Sequence, residues 1–146
     1  MTLAPPSLYA QRRARLAARL AEDGQRGVAI IPTALERARN RDSDFPYRHD
    51  SYFYYLTGFT EPHAWLVLDA TGRSTLFCQP KDLEREIWDG YRLGPDAAVE
   101  ALGVSAAHSV SELDQRLPKL LENQHTVWYP FATHKGLETR VDGWLN

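Results

Sequence analysis

Five histidines, His49, His63, His108, His125 and His134, are scattered along the 146 residues. No two have the short spacing that a helical metal pair requires, so each reads as a surface or internally satisfied side chain. Cys78 is the only cysteine, which excludes an internal disulfide, a Cys-x-x-Cys redox pair and a cysteine zinc site. Asp42 and Asp44 form a carboxylate pair, but Arg37, Arg39, Arg41 and Arg48 balance the acids around them. Spacing alone does not make that pair a catalytic dyad. There is no Gly-x-Gly-x-x-Gly, no phosphate-binding P-loop, no Gly-x-Ser-x-Gly and no His-Glu-x-x-His. By its motifs the chain is non-catalytic.

The aromatic residues are less evenly spread. Residues 45–59 hold seven of the sixteen: Phe45, Tyr47, Tyr52, Phe53, Tyr54, Tyr55 and Phe59. They suit a core beneath a sheet, with Tyr52, Tyr55 and Phe59 as its members. Tyr and Arg together also make the anchors of a protein contact patch. Stacking on nucleic-acid bases is the third use, but 17 basic against 19 acidic residues give a net charge of −2 and imply no polyelectrolyte partner.

These residues must be positioned by regular elements. Pro6 and Ser7 open a helix with Tyr9, Leu16 and Leu20 along one face, and Arg12, Arg13, Arg15 and Arg19 solvate the rest before Gly24 stops it. Val28-Ala29-Ile30-Ile31, ending at Pro32, suits a buried strand. Periodicity then vanishes from Thr33 to Asp50, a loop long enough to be functional. Residues 51–57 predict a short helix with Tyr52, Tyr55 and Leu56 on one face and Gly58 just past its end. Residues 64–69 and 74–78 read as a hairpin turned through Ala70-Thr71-Gly72-Arg73. Helices follow over 81–88, from Pro95 to Leu102, and from Ser111, where Ser111 and Asp114 suggest a capping box. Thr126-Val127-Trp128-Tyr129 is the last strand. The sum is a single α/β domain over residues 1–146, a mixed sheet flanked by helices on both faces. The longest apolar run, Ala64 to Leu68, is far too short to span a bilayer, and no signal peptide is visible. A single cysteine favours a cytoplasmic setting.

Two blocks carry a family resemblance. Arg41-Asp42-Ser43-Asp44-Phe45-Pro46-Tyr47-Arg48 leads to Asp50-Ser51-Tyr52-Phe53-Tyr54-Tyr55-Leu56-Thr57-Gly58-Phe59 and then Glu61-Pro62. The second block is Glu86-Ile87-Trp88-Asp89-Gly90-Tyr91-Arg92-Leu93-Gly94-Pro95-Asp96-Ala97. Both resemble the N-terminal domain of aminopeptidase P, the Xaa-Pro aminopeptidases related to prolidase and creatinase. The opening arginine-rich helix and Val28 to Ile31 match in kind and order, so the resemblance covers nearly the whole chain.

That resemblance implies the creatinase/prolidase N-terminal fold, which is ribonuclease H-like. It implies a separate C-terminal pita-bread domain, outside this chain, where two divalent metals, typically manganese, are held by two Asp, one His and two Glu. No cofactor is expected in the N-terminal domain itself, and the chain alone is expected to be inactive. The implied partners are that catalytic domain, further copies in a dimer or tetramer, and a proline-containing peptide, with no nucleic acid and no membrane. The N-terminal domain would restrict access to the site and help assemble subunits.

Two residues carry over as substrate-binding. Trp88 matches a tryptophan that reaches toward the active site of an adjacent subunit; from its own neighbours, it equally well closes a helix end onto the core. Asp42 matches an acidic position in a hydrogen-bonding network near the metals; it also suits an Asx turn before Ser43. Two other functions stay open: a peptide-binding or chaperone module that kept the fold without the chemistry, and the N-terminal domain of a prolidase or creatinase.

Overall fold

The structure is a computed structural model that describes residues 6–22, 26–33, 51–61, 63–122, 124, 126–128 and 143–144. The elements run α1 (Pro6–Leu20), β1 (Gly27–Pro32), α2 (Ser51–Thr57), β2 (Trp65–Asp69), β3 (Ser74–Cys78), α3 (Leu83–Asp89), α4 (Pro95–Leu102), β4 (Ala106–Ser109), a 3-10 turn (Val110–Glu112), α5 (Leu113–Leu121) and β5 (Thr126–Trp128). The five strands form one mixed sheet in the order β4-β3-β2-β1-β5. The three central strands pair antiparallel, with Ile30 opposite Val67 and Leu66 opposite Leu76. Both edges are parallel: β5 lies beside β1, and β4 beside β3.

Strand alternation assigns each side chain to a layer. Ala29, Ile31, Leu66, Leu68, Leu76 and Cys78 face α1, α2 and α4, and pack with Ala17, Phe53, Leu56, Phe59 and Ala98. Val28, Ile30, Trp65, Val67 and Phe77 face the other way, onto Leu113, Leu117 and Leu121 of α5 and onto Trp144. Burial on both faces explains why β1 and β2 are apolar on consecutive residues.

The elements match the sequence reading closely, with instructive differences. On α1 the buried stripe is Tyr9, Arg13, Ala17 and Leu20, and Leu16 is only half-buried. Arg13, expected on the solvent side, is 4% exposed. Its guanidinium donates to Leu56 O (2.8 Å), Leu102 O (2.9 Å) and Gly103 O (3.3 Å). A cation at the ends of α2 and α4 meets carbonyls that lack helical partners, so the charge is solvated by backbone. Burial still holds the guanidinium pKa below its ordinary value.

On α2 the buried face is Phe53, Leu56 and Thr57. Tyr55 is half-exposed, with the Arg12 guanidinium 4.1 Å from its ring centroid. Phe59 is buried as expected, whereas the side chain of Tyr52 lies outside the described residues. Thr57 is reconciled to burial by donating to Phe53 O and accepting from Phe59 N, both at 3.0 Å. Gly58 ends α2 at φ +74, and a Cβ there would stand 2.7 Å from the Tyr9 ring, so glycine is required twice over.

The turn from β2 to β3 is organised by Asp69, whose Oδ1 accepts from Thr71 N (2.9 Å) and Arg73 N (3.1 Å). Strand β4, Ala-Ala-His-Ser, is half-buried throughout and carries no apolar run to announce it. The expected capping box is absent. Ser109 instead caps the 3-10 turn, and Asp114 accepts from Trp144 Nε1 at 2.9 Å.

Candidate functional site

The segment 79–94 leaves the sheet after β3 and returns at α4 with α3 at its tip. Asp82 caps α3, accepting from Glu84 N (3.1 Å) and Arg85 N (3.2 Å), and Gly90 ends it at φ +99. A helix on a globular surface normally turns its apolar side inward. Here the apolar side chains are exposed together with Glu84 and Arg85. Leu83 is 72% exposed, Ile87 76%, Trp88 84% and the following Tyr91 70%, while the Glu86 side chain is only 11% exposed. Trp88 therefore projects from the helix end and does not close it onto the core. Four large exposed apolar side chains on one short excursion make it a candidate contact surface.

Polar contacts at the base hold the excursion together. Lys81 Nζ reaches Glu86 Oε1 at 3.1 Å and Arg92 O at 2.8 Å, and lies 4.2 Å from the Tyr91 ring centroid. Arg92 Nη1 donates to Pro80 O at 3.2 Å. Glu61, on the segment entering β2, accepts from Leu93 N through Oε2 at 2.7 Å. Burial raises the Glu61 carboxyl pKa above its ordinary value; the Leu93 bond and the charges of Arg92 and Lys81 oppose this, and Glu86 adds to it. Burial pushes Glu86 the same way, but the Lys81 hydrogen bond, backbone bonds and Lys81's charge outweigh it and leave its pKa lowered.

Asp42, the other expected site residue, lies outside the described residues, as do Tyr47 and Arg48. Burial and the nearby Glu61 charge raise the Cys78 thiol to about 12, so it is inert at neutral pH. His108 is half-buried against the Phe77 ring. Burial chiefly, then Arg116 and Arg73, push its pKa below the ordinary range against the pull of Glu112. Among the described residues, no group of three or more His, Cys, Asp or Glu side chains could hold a metal ion. The donors present there do not fit the metals that the family resemblance implies. No helix among the described residues is long and apolar enough to cross a membrane.

A mixed five-stranded sheet, helices on both faces and an exposed aromatic excursion define an α/β domain. Residues 9–128 match the family model for the aminopeptidase P N-terminal domain, and the chain belongs to that family. It is 34% identical over 144 residues to the Xaa-Pro aminopeptidase of Haemophilus influenzae, covering 97% of this chain and 33% of that protein. With the Escherichia coli K12 Xaa-Pro aminopeptidase it shares 47% over 115 residues, 75% of this chain and 26% of the relative. Among solved structures, Pseudomonas aeruginosa aminopeptidase PepP superposes with TM-score 0.88 at 39% identity, over all of this chain and 33% of that one. A substrate-bound variant of Escherichia coli aminopeptidase P gives TM-score 0.86 at 38% identity, over 99% of this chain and 33% of its own. The chain thus spans about a third or less of the length of these relatives.

Proposed function

We propose that this chain is the N-terminal, substrate-restricting and oligomerising domain of a cytoplasmic metal-dependent Xaa-Pro aminopeptidase, with Trp88 and Asp42 contributing to the substrate site. The observation that carries the reading is Trp88 itself, 84% exposed at the end of a helix whose apolar side faces outward, in a chain of the aminopeptidase P family. Catalysis, in this reading, belongs to a pita-bread domain of the full-length protein. Its two divalent metals, manganese in the typical case, would activate water and polarise the scissile carbonyl.

This chain's residues supply the wall. A bond to proline is a tertiary amide without an N–H, so extended-backbone recognition loses one donor and must be replaced by shape. The Trp88 indole offers a flat apolar face to a pyrrolidine ring or the residue beyond it. Supplied from a neighbouring subunit, it makes the complete site a property of the oligomer. Asp42 would orient the metal-site network or the substrate amine.

The test is Trp88→Ala in the full-length enzyme. It should lower kcat/KM for Xaa-Pro peptides by roughly 10- to 100-fold, about 1.4 to 2.7 kcal/mol. The unfolding midpoint should hold, because an exposed ring leaves no cavity. Asp42→Asn should reduce activity at unchanged metal occupancy. Mixing Trp88→Ala subunits with subunits lacking a metal ligand should restore activity in hybrids. Unchanged kcat/KM in the Trp88 variant defeats the wall. Hybrids that regain nothing while both parents assemble defeat its supply from a neighbour.

A further inference from the structure

The apolar side of α3 turns outward, so burial of that side cannot fix the helix against the domain. Polar contacts at its base tie it to the domain. Lys81, two residues before α3, bonds the Arg92 carbonyl beyond it at 2.8 Å, closing the excursion at its base. Gly94 completes the closure: at φ +82, a Cβ there would stand 3.0 Å from Lys81 Cβ. From a different part of the chain, Glu61 Oε2 takes the Leu93 amide at 2.7 Å. The other oxygen, Oε1, is buried and has no hydrogen-bond partner among the described residues. The carboxylate is committed to the excursion at that single amide, and desolvation strengthens such a bond. Beside it Leu93 packs against the core layer of α1, α2 and α4.

The geometry points to Glu61 and Lys81 as a clamp that positions Trp88: Lys81 closes the excursion on itself, and Glu61 ties the closed excursion to the strand-bearing body. Neither side chain is a catalytic residue. They act through the backbone at Arg92 and Leu93 on the direction in which α3 presents its ring. This inference rests on the wall role proposed for Trp88, but the clamp has a readout of its own.

That readout is amide exchange at Leu93 in the full-length protein, measured by mass spectrometry on peptides spanning residues 90–94. Glu61→Met keeps the bulk and removes the acceptor; Glu61→Gln keeps a carbonyl oxygen for Leu93 N–H. Glu61→Met should speed exchange by roughly ten- to a hundredfold in a protein that still unfolds cooperatively, and Glu61→Gln should restore it to within about threefold. The kinetic arm is a double-mutant cycle. Glu61→Met should lower kcat/KM about tenfold when Trp88 is present, and add nothing in the Trp88→Ala background.

Unchanged exchange at Leu93 overturns the clamp. Equal kinetic losses in the two backgrounds overturn its action through Trp88. If Trp88→Ala alone leaves kcat/KM intact, the wall reading falls, and the exchange result still decides the clamp. Should Glu61→Met fail to fold, Lys81→Met decides by the same measurements, since that exposed side chain can be changed without opening the core. Accelerated exchange over 90–94 in Lys81→Met then supports the clamp, and wild-type exchange sinks it.

Discussion

Arg13 joins three chain segments through one side chain. Replacing it with Met would leave the carbonyls of Leu56, Leu102 and Gly103 without their charged donor in a site 4% exposed. Hydrogen bonds from a charged group, lost in a buried place, cost about 3 kcal/mol together. Arg13→Met should lower the denaturation free energy by about that amount. Arg13→Lys should recover only part, because an ammonium cannot reproduce the fork that spans two helix ends. Urea unfolding of the three proteins is the measurement; equal midpoints would contradict it. The stripe at residues 9, 13, 17 and 20 was present in the sequence, but arginine at its second position reads as solvent-facing by residue type. What reverses that reading is a pair of helix ends that come together only in the folded chain. Tyr55 misleads in the opposite direction: an aromatic ring suggests core, yet Arg12 covers it at the surface.

Among the elements, α3 was legible as a helix and illegible as a surface. Residues 81–88 were expected and Leu83–Asp89 are helical. Ile87 and Trp88 carry no sign in the sequence of whether they face in or out. The deciding fact is that Lys81 captures Glu86 on the inner side, a contact five residues apart that no periodicity encodes. Strand β4 was missed for a related reason. Its four half-buried residues have no alternation, and pairing with Thr75 to Cys78 makes the strand.

At this scale Glu61 has a pH signature. Lys81, Arg92, Glu86 and the Cys78 thiol are the titratable groups around it. Its folded pKa is raised above the ordinary 4.5, so folding favours the protonated form. The part of the stability that depends on the proton of Glu61 is therefore complete below about pH 4.5 and lost as pH rises through the raised folded value. Compared with Glu61→Gln, which does not titrate, the wild-type protein should lose relative stability as pH rises through that window. Urea midpoints of the two proteins across pH 4 to 8 test the sign. A gap that widens in favour of the wild type with rising pH would contradict it.

For the whole molecule, interleaved helices and strands foretold a mixed sheet, and consecutive apolar residues in the strand at 64–69 foretold two covered faces. The strand order was not readable. Residues 27–32 and 126–128 lie side by side in the sheet, and nothing local in either segment names the other. The site was legible in a similarly divided way. The family resemblance singles out Trp88, and the fold shows its ring exposed at the end of α3; the contacts of Glu61 and Lys81 carry no signal in the sequence. Glu61 stands in a family block with no signal of its own, since its partner is the backbone of Leu93, and backbone partners leave no trace in residue types.

The pairing of β1 with β5 has a consequence for the order in which the protein is made. As the chain leaves the ribosome, Val28 to Ile31 can find β2 and then β3 early, because those strands follow within the first 78 residues. The outer edge of β1 must wait for Thr126 to Trp128. Until then a fully buried apolar strand, Gly27–Pro32, presents free N–H and C=O groups to whatever is nearby. A nascent or truncated chain ending at Glu122 should therefore be sticky through β1, pelleting at concentrations where the intact chain stays in solution. Lysine in place of Ala29 would mend nothing, since that side chain points into the core. Adding back a peptide spanning residues 124–129 should reduce the pelleting; no response to that peptide would show that the open edge is not the cause.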